Sequence, residues 1–502
     1  MKSEKLSVAL INPQGHVRWN NPPIAGHPDT GGQIVYILEL AKELARLGCR
    51  VDIFTRYFDD PEWPGYTEHI EEYPGDSRLR IIRIKCGPER FLEKEALWPH
   101  LREYTDGVKE FYSKEGGLPD IMSSHYADAG VSAAMLKEET GLLFTHTGHS
   151  LGGKKMDNLN ITRQNFELIN RKFRFHMRIA SERVAFRNSS AIPASTEEEV
   201  SEQYGHRVYS GAIDNPEKFR IIPPGISPAQ FYAFHRQESD RKVYDEVAAR
   251  LEGELKKKIS PERLSLPCVF SAARFDAKKN PTGLLKAYAS SSRLRENSNL
   301  LIIAGSVEDP LEPSSRDAFK RHEWVIIEDI KEIIKENSLE GNVCFAPGFG
   351  FSHMPCVYRY AGRHKWIFVN PALHEPFGLT IVEAMASGVP VVATCHGGPS
   401  EILEDGRHGV LADSTSCGSL REGIEKLLDE SLWDEFSEKG LKRVRERFTW
   451  GAAAKSYLEL FEEIISNGSD SGKDFPVPDY FSGSGSSGDS DILEELRKLY
   501  FG

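Results

Sequence analysis

Cysteine is scarce in this chain, and what there is makes no pattern. The seven residues, at 49, 86, 268, 344, 356, 395 and 417, contain no C-x-x-C pair. That excludes a disulfide-built scaffold and a zinc ribbon, and leaves buried free thiols in a reducing cytoplasm as the expectation. Long apolar runs are missing too. None approaches the roughly 20 residues that a membrane span needs, and mean hydropathy is −0.43. The start, Met1 to Lys5, is polar and leads into a short apolar run, which is not the pattern of a secretion signal. Positive charge is in deficit: 63 Lys and Arg stand against 75 Asp and Glu, a net charge of −12. A nucleic-acid partner held by a global positive field is therefore excluded, and an anionic ligand must be met by local clusters. Two phosphate signatures are also absent. There is no G-x-x-x-x-G-K-[ST] and no complete G-x-G-x-x-G, only Gly348 and Gly350. ATPase and dinucleotide-dehydrogenase readings thus lack their motifs.

What is present is a repeated alternation of short β runs and helical stretches over 502 residues, too long for one core. Leu6 to Ile11, Val51 to Thr55, Leu79 to Ile84, Ile121 to His125 and Leu142 to Thr147 read as strands, with an amphipathic helix from Gly32 to Leu47. After the Pro-Pro-Gly break at 223–225 the scheme repeats, through Val269 to Ser271, Leu300 to Ala304, Val343 to Phe345, Ile367 to Asn370 and Val389 to Ala393. Strands alternating with helices mean parallel βαβ units, so the fold class is α/β with two doubly wound Rossmann-like domains facing across a cleft. The boundaries fall at 1–224, 225–465 and 466–502. Residues 467–490 are dominated by Gly, Ser and Asp and read as a linker, with Pro478-Asp479-Tyr480-Phe481 as an anchor inside it. Ser490 to Tyr500 offers a short helix with Ile492, Leu493, Leu496 and Leu499 on one side. The Asp489-x-Asp491 pair there suits a helix cap, not a metal.

The densest chemistry lies in His374-Glu375-Pro376-Phe377-Gly378-Leu379-Thr380-Ile381-Val382-Glu383-Ala384, between two β runs and ahead of Gly397-Gly398. Residues 378 to 386 read as a helix, so backbone N–H groups near Phe377, Gly378 and Leu379 are free donors suited to a pyrophosphate. Glu375 before the helix can take sugar hydroxyls, and Glu383 along it ribose hydroxyls. Arg274-Phe275-Asp276-Ala277-Lys278-Lys279 places three cations after the first strand of the second domain, where charge develops on a leaving pyrophosphate. His27-Pro28-Asp29-Thr30-Gly31-Gly32-Gln33 closes the long loop Asn12 to Thr30, and its glycines admit a ligand close to the backbone. From Lys154 to Arg187 there are nine Lys or Arg residues. Phe166, Ile169, Phe173, Ala180 and Val184 keep a helical spacing, which predicts one long amphipathic helix with Arg171, Arg174 and Arg178 on a shared face. His146 and His149 make an H-x-x-H with no third ligand at suitable spacing, which is not a metal site.

The Glu375 to Glu383 string resembles the E-x7-E signature of retaining glycosyltransferases with the GT-B fold. With Asn370-Pro371-Ala372 before it and Thr147-Gly148-His149-Ser150-Leu151-Gly152 elsewhere, it resembles the branch holding sucrose-phosphate synthases and sucrose synthases. The resemblance covers roughly residues 6 to 465. It implies a glucosyl transfer from UDP-glucose to fructose 6-phosphate, with an acceptor-binding first domain and a nucleotide-sugar-binding second one. In that family Glu375, Arg274, Lys279 and His149 would serve catalysis, with Arg274 and Lys279 stabilising the leaving group. Gly31, Gly32, Phe377, Gly378, Leu379 and Glu383 would hold the donor. Gln33, Lys94, Tyr126, Ser150, Lys155 and Arg178 would hold the acceptor, Lys155 and Arg178 at its phosphate. The family commonly has two adjacent arginines there, and this chain has Met177-Arg178. No nucleophilic carboxylate stands out, so a front-face path in which the leaving phosphate takes the acceptor's proton is implied. No cofactor is required by that logic, with Mg2+ a stimulant at most. The partners would be a nucleotide sugar and a sugar phosphate, with no membrane. Mannosylfructose-phosphate synthase using GDP-mannose and sucrose synthase using free fructose share the fold. A UDP-sugar epimerase and a non-catalytic nucleotide-sugar-binding protein are the readings from other classes.

Overall fold

The computed structural model describes residues 6–19, 29–213, 215–233, 238–304, 309–350, 352–468, 475–481 and 488–502. The chain forms two compact units, Met1–Pro224 with Trp450–Gly502, and Gly225–Thr449. Each is built on a six-stranded sheet. No helix among the described residues is long and apolar enough to cross a membrane.

The first unit takes β1 (Ser7–Ile11), β2 (Arg50–Arg56), β3 (Ile70–Tyr73), β4 (Asp76–Ile84), β5 (Ile121–His125) and β6 (Phe144–Thr147) in the order β3-β4-β2-β1-β5-β6. All neighbours are parallel except the β3 edge. Alternation along β1 explains why both faces are covered. Val8 and Leu10 pack with helix Gly32–Arg46, while Ala9 and Ile11 pack beneath helices Leu101–Glu115 and Ala127–Thr140. A parallel sheet buried on both faces reads as continuous apolar runs, which is why these strands were legible. A two-stranded pair, β7 (Ile192–Ala194) and β8 (Phe219–Ile221), follows.

The second unit orders β9 (Cys268–Ala272), β10 (Asn299–Ile303), β11 (Val343–Ala346), β12 (Ile367–Asn370), β13 (Val391–Thr394) and β14 (Val410–Ala412) as β11-β10-β9-β12-β13-β14, parallel throughout. Its two cores divide β9 in the same way, Phe270 to one face and Val269 to the other. In each sheet the strand order reverses direction once, between β1 and β5 and between β9 and β12. Ligands of open α/β sheets bind beyond the carboxyl ends of strands at such a point.

Three sequence expectations change here. The second boundary was drawn at 465, but the chain leaves the second unit at Thr449. Helix Trp450–Asn467 buries Ala453, Ala454, Tyr457, Leu458 and Phe461 against β1, β2 and helix Gly32–Arg46. The Tyr457 hydroxyl bonds to the Tyr36 hydroxyl at 3.0 Å and to Thr147 Oγ1 at 2.9 Å. Secondly, the single long basic helix is three helices, Gly152–Asn158, Phe166–Phe173 and Phe175–Asn188. Arg174 breaks the last two apart with a left-handed backbone, φ 49°, so Arg171, Arg174 and Arg178 share no helix face. Thirdly, Cys395 and Cys417 are exposed, while the other five thiols are buried. Each sits just beyond the core, Cys395 after β13 and Cys417 at a helix start. The anchor and the helix read within the Gly- and Ser-rich tail are both present. Phe481 is buried, with its ring 6.2 Å from that of Trp98, and Gly488–Phe501 is a helix with Leu496 buried. Residues 469–474 and 482–487 of that stretch, 20–28 of the first long loop with His27 and Pro28, and the Asp489 side chain lie outside the described residues.

Phe461→Ala is expected to destabilise the first unit by about 3–5 kcal/mol, the range for emptying a large aromatic site in a core. Hydrogen exchange read strand by strand checks it. Amides of β1, β2 and β5 should exchange faster while those of β9 and β12 stay as they were. Faster exchange in β9 and β12 instead would assign the helix to the other unit.

Candidate functional site

In the second unit the residues singled out converge after β9 and β12, the two strands at the reversal. The β9 end leads through Arg274 into a short 3-10 turn, Ala277–Lys279, capped by Asp276. Lys279 Nζ then reaches Glu375 Oε2 at 2.7 Å, across 96 residues of sequence. Asn370, the last residue of β12, donates to the same oxygen at 3.1 Å. Glu375 is therefore aimed by two donors, with Oε1 left to accept from a ligand hydroxyl. Arg274 is exposed and has no protein partner among the described residues.

The backbone beyond Glu375 is shaped by glycine. Gly378 has φ 110°, and a Cβ there would sit 2.8 Å from Ile381 Cδ1. It is the N-cap of helix Leu379–Ala386 and offers no side chain to cap it. The first helical donors to find acceptors are Ile381 and Val382, both bonding to the Gly378 carbonyl. The N–H groups of Phe377, Gly378, Leu379 and Thr380 take no protein acceptor among the described residues. Such a helix start binds an anion through free donors and the helix dipole. Glu383 lies further along the helix, half-buried, and burial pushes its carboxyl up to about 7 while the Tyr358 hydroxyl offsets part of that shift.

In the first unit the residues gather beyond β1, β5 and β6. Gly31 and Gly32 open helix Gly32–Arg46, and a Cβ at either would meet nothing within 4 Å. They thus leave room beside that helix start. Gln33 follows, with its amide Nε2 buried and unpartnered. Tyr126 ends the β5 turn with φ 83°, and its ring lies beneath the Arg178 guanidinium at 4.7 Å. His149 also has a left-handed backbone, φ 57°, which turns its ring inward. Its Nε2 meets His125 Nδ1 at 3.0 Å, and its ring stands edge-on to Tyr36 at 4.9 Å. Burial lowers His149 to about 3, so it is a neutral imidazole at physiological pH. Ser150 is exposed on the same loop. Among the described residues no group of three His, Cys, Asp or Glu side chains could hold a metal ion.

The cations of this unit are not equivalent. Arg178 is buried, pairs with Glu182 at 3.0 Å, and bonds the Ser150 carbonyl. Lys94 pairs with Asp29, whose carboxylate more than offsets burial and holds the amine above its usual range. Lys155 has no carboxylate partner among the described residues. Its amine lies over the Phe173 ring at 4.4 Å. Burial, then Arg178 and Lys94, lower it to about 8. An anion would relieve that crowding of positive charge. Asp29, Glu182, Asn370 and Tyr358 escaped the sequence reading as site residues. Glu182 was signalled by its i+4 spacing from Arg178, and Asp29 and Asn370 stand in strings already singled out. Tyr358 carries no local signal.

Glu383 gives a pH signature. Its folded carboxyl is raised above the unfolded value, so the stability it contributes is full below about 4.3 and is lost as pH rises through about 7. Glu383→Gln should therefore gain stability over the parent on the order of 1–3 kcal/mol at pH 8 and little at pH 4.5. Urea midpoints at the two pH values check this. Equal differences at both would remove the titration from Glu383.

Two families cover most of the chain: sucrose synthase first GT-B domain over residues 4–251, and glycosyl transferases group 1 over residues 253–446. A probable sucrose-phosphate synthase of Thermosipho melanesiensis is 32% identical over 464 residues, 91% of this chain and 97% of that protein. The sucrose-phosphate synthase of Zea mays is 32% identical over 91% of this chain, which spans only 47% of the maize protein. Among solved structures, the sucrose-phosphate synthase of Thermosynechococcus elongatus aligns over 92% of this chain and 99% of its own, with a TM-score of 0.61 at 24% identity. The likeness of the structures shows the fold, GT-B, and the sequence similarity shows kinship. This chain is a glycosyltransferase belonging to the sucrose-phosphate synthase family.

Proposed function

We propose that the chain transfers glucose from UDP-glucose to fructose 6-phosphate in the cytoplasm, with retention at the anomeric carbon, releasing UDP and sucrose 6-phosphate. The second unit would hold the donor. Pyrophosphate meets the free N–H groups at 377–380 together with Arg274 and Lys279, Glu375 takes glucose hydroxyls, and Glu383 takes the ribose diol. The first unit would hold the acceptor, with Gln33, Tyr126 and Ser150 around the sugar and Lys94, Lys155 and Arg178 around its phosphate, while Gly31 and Gly32 would meet the donor. His149, neutral, can accept from a glucose hydroxyl without adding charge.

The chemistry follows from where charge develops. The bond from glucose C1 to the β-phosphate oxygen breaks, and the electron pair leaves with UDP. Two cations and a helix start neutralise it, the kind of preorganised stabilisation that lowers a barrier most. The acceptor's anomeric hydroxyl attacks from the same face and its proton passes to the departing phosphate oxygen, so no enzyme carboxylate forms a bond to glucose. Since Arg274, Lys279 and the helix dipole supply the neutralisation, turnover should persist in chelator, with Mg2+ stimulating at most.

The observation that carries the phosphorylated acceptor is Lys155. It is a half-buried ammonium lowered to about 8 and without a carboxylate partner. A free sugar offers it only neutral hydroxyl acceptors, whereas a phosphate meets it with opposite charge. UDP release is expected with UDP-glucose and fructose 6-phosphate, and far less with free fructose or with GDP-mannose as donor. Lys155→Ala should raise the fructose 6-phosphate KM by roughly 10–100-fold, the size of a lost charge-assisted hydrogen bond, and leave the UDP-glucose KM near that of the parent. Acceptor affinity in the parent should weaken as pH rises through about 8, where Lys155 loses its proton. Turnover on GDP-mannose or free fructose would move the enzyme to a neighbouring activity, and an unchanged KM would sink the phosphate role of Lys155.

A further inference from the structure

The helix Gly152–Asn158 carries Lys155, and its first amides are held from elsewhere, Gly152 N–H by Glu182 at 3.0 Å and Gly153 N–H by the Tyr209 hydroxyl at 2.9 Å. It is seven residues long, its N-cap residue Leu151 offers no side-chain cap, and a helix of that length is not stable by itself. Its last turn bears Asp157, a carboxylate at the end where the helix dipole disfavours negative charge. Two donors from elsewhere meet that carboxylate. His206 Nε2 reaches Oδ2 at 2.9 Å, and the Tyr500 hydroxyl donates to Oδ1 at 3.0 Å. The imidazole is oriented for this, because its Nδ1 accepts from the Val208 N–H at 3.3 Å and so leaves the proton on Nε2. Tyr500 is oriented too, with its ring under the Arg207 guanidinium at 4.3 Å.

Packing makes the same connection independently. Leu151 and Met156, on either side of the helix start, share one apolar cluster with Leu496 of the C-terminal helix. Phe173, over which the Lys155 amine lies, packs against that cluster. Phe501 stands edge-on to Phe166 at 5.6 Å. A Cβ at Gly153 would lie 2.5 Å from His206 Nδ1, so the helix is seated directly on that ring.

We infer that Tyr500, through Asp157, is a positioning residue for Lys155: the C-terminal helix holds the short helix that presents the lysine to the acceptor's phosphate. The inference rests on the acceptor reading given above. Tyr500 touches no substrate, and its effect passes through the orientation of Gly152–Asn158. The C-terminal helix is thereby part of the acceptor site, tied to the same unit also by Glu495 with Arg183 at 2.8 and 2.9 Å.

Tyr500→Phe in the full chain tests this, because it removes one oxygen and keeps the ring over Arg207. Two readings are taken. Amide exchange of residues 154–158 should quicken about fivefold, the equivalent of one hydrogen bond, while exchange in β1 and β5 stays at the parent rate. The fructose 6-phosphate KM should rise by a similar factor, about fivefold, with kcat and the UDP-glucose KM within about twofold. Unchanged exchange at 154–158, or a rise in both KM values together, overturns the inference. If the parent itself shows no turnover with fructose 6-phosphate, the functional reading fails, and the exchange arm alone decides whether Tyr500 holds the helix. Asp157→Asn is the second variant. It keeps an oxygen for Tyr500 and loses the acceptor for His206, so it should show the same selective effect at residues 154–158.

Discussion

A single backbone contact governs the second unit's site. Glu375 and Gly397 form a parallel bridge. The Glu375 N–H bonds to the His396 carbonyl at 3.1 Å, and the Gly398 N–H returns to the Glu375 carbonyl at 3.0 Å. A Cβ on Gly397 would fall 2.1 Å from that carbonyl oxygen, and one on Gly398 would fall 2.7 Å from Phe377 Cα. Only two consecutive residues without side chains let the loop after β13 lie so close. With the backbone pinned from both sides, Lys279 and Asn370 then hold the Glu375 carboxylate. The chain then leaves Pro376 at an angle that makes Gly378 the helix cap and leaves four N–H groups unclaimed. The placing of Glu375 thus descends from a steric allowance at a glycine pair that begins 22 residues further along the chain.

The first unit is organised by burial of charge. Glu182 is buried and satisfied by Arg178, by the Gly152 N–H at 3.0 Å and by the Tyr209 hydroxyl. A carboxylate taken out of water requires such a set of donors. In meeting that requirement it ties the loop after β6 to helix Phe175–Asn188. The consequence for ligand binding is an uneven set of cations. Arg178 and Lys94 have carboxylate partners, and Lys155 has none among the described residues. The neutral histidines beside them add polarity without adding charge.

Much of this was readable from local pattern. Strands β1, β5 and β12 lie within a residue of where apolar runs put them, since a strand buried on both faces must be apolar along its whole length. In the second unit Glu375 and Lys279 fall together because each follows a strand of a doubly wound sheet, β12 and β9. Strands β3, β7, β8 and β14 were not legible. β3 is an edge with polar residues, and the other three have three residues each, too few to show a period. The long basic helix misled because helical spacing persists in the sequence on both sides of Arg174, and nothing local marks the left-handed turn there.

By itself the sequence determined what depends on neighbours a few residues apart: the alternation of strand and helix, the two sheets, the helix start after Glu375 and the residue types of both clusters. Only the tertiary structure decided what depends on partners far along the chain. It assigned Trp450–Asn467 to the first unit, paired Lys279 with Glu375, occupied Arg178 with Glu182 while leaving Lys155 with no carboxylate partner among the described residues, and set Tyr500 on Asp157. The reason is physical. Propensity and periodicity act over one or two turns, whereas the choice among several cations of similar chemistry is made by which of them burial brings within about 3 Å of a carboxylate.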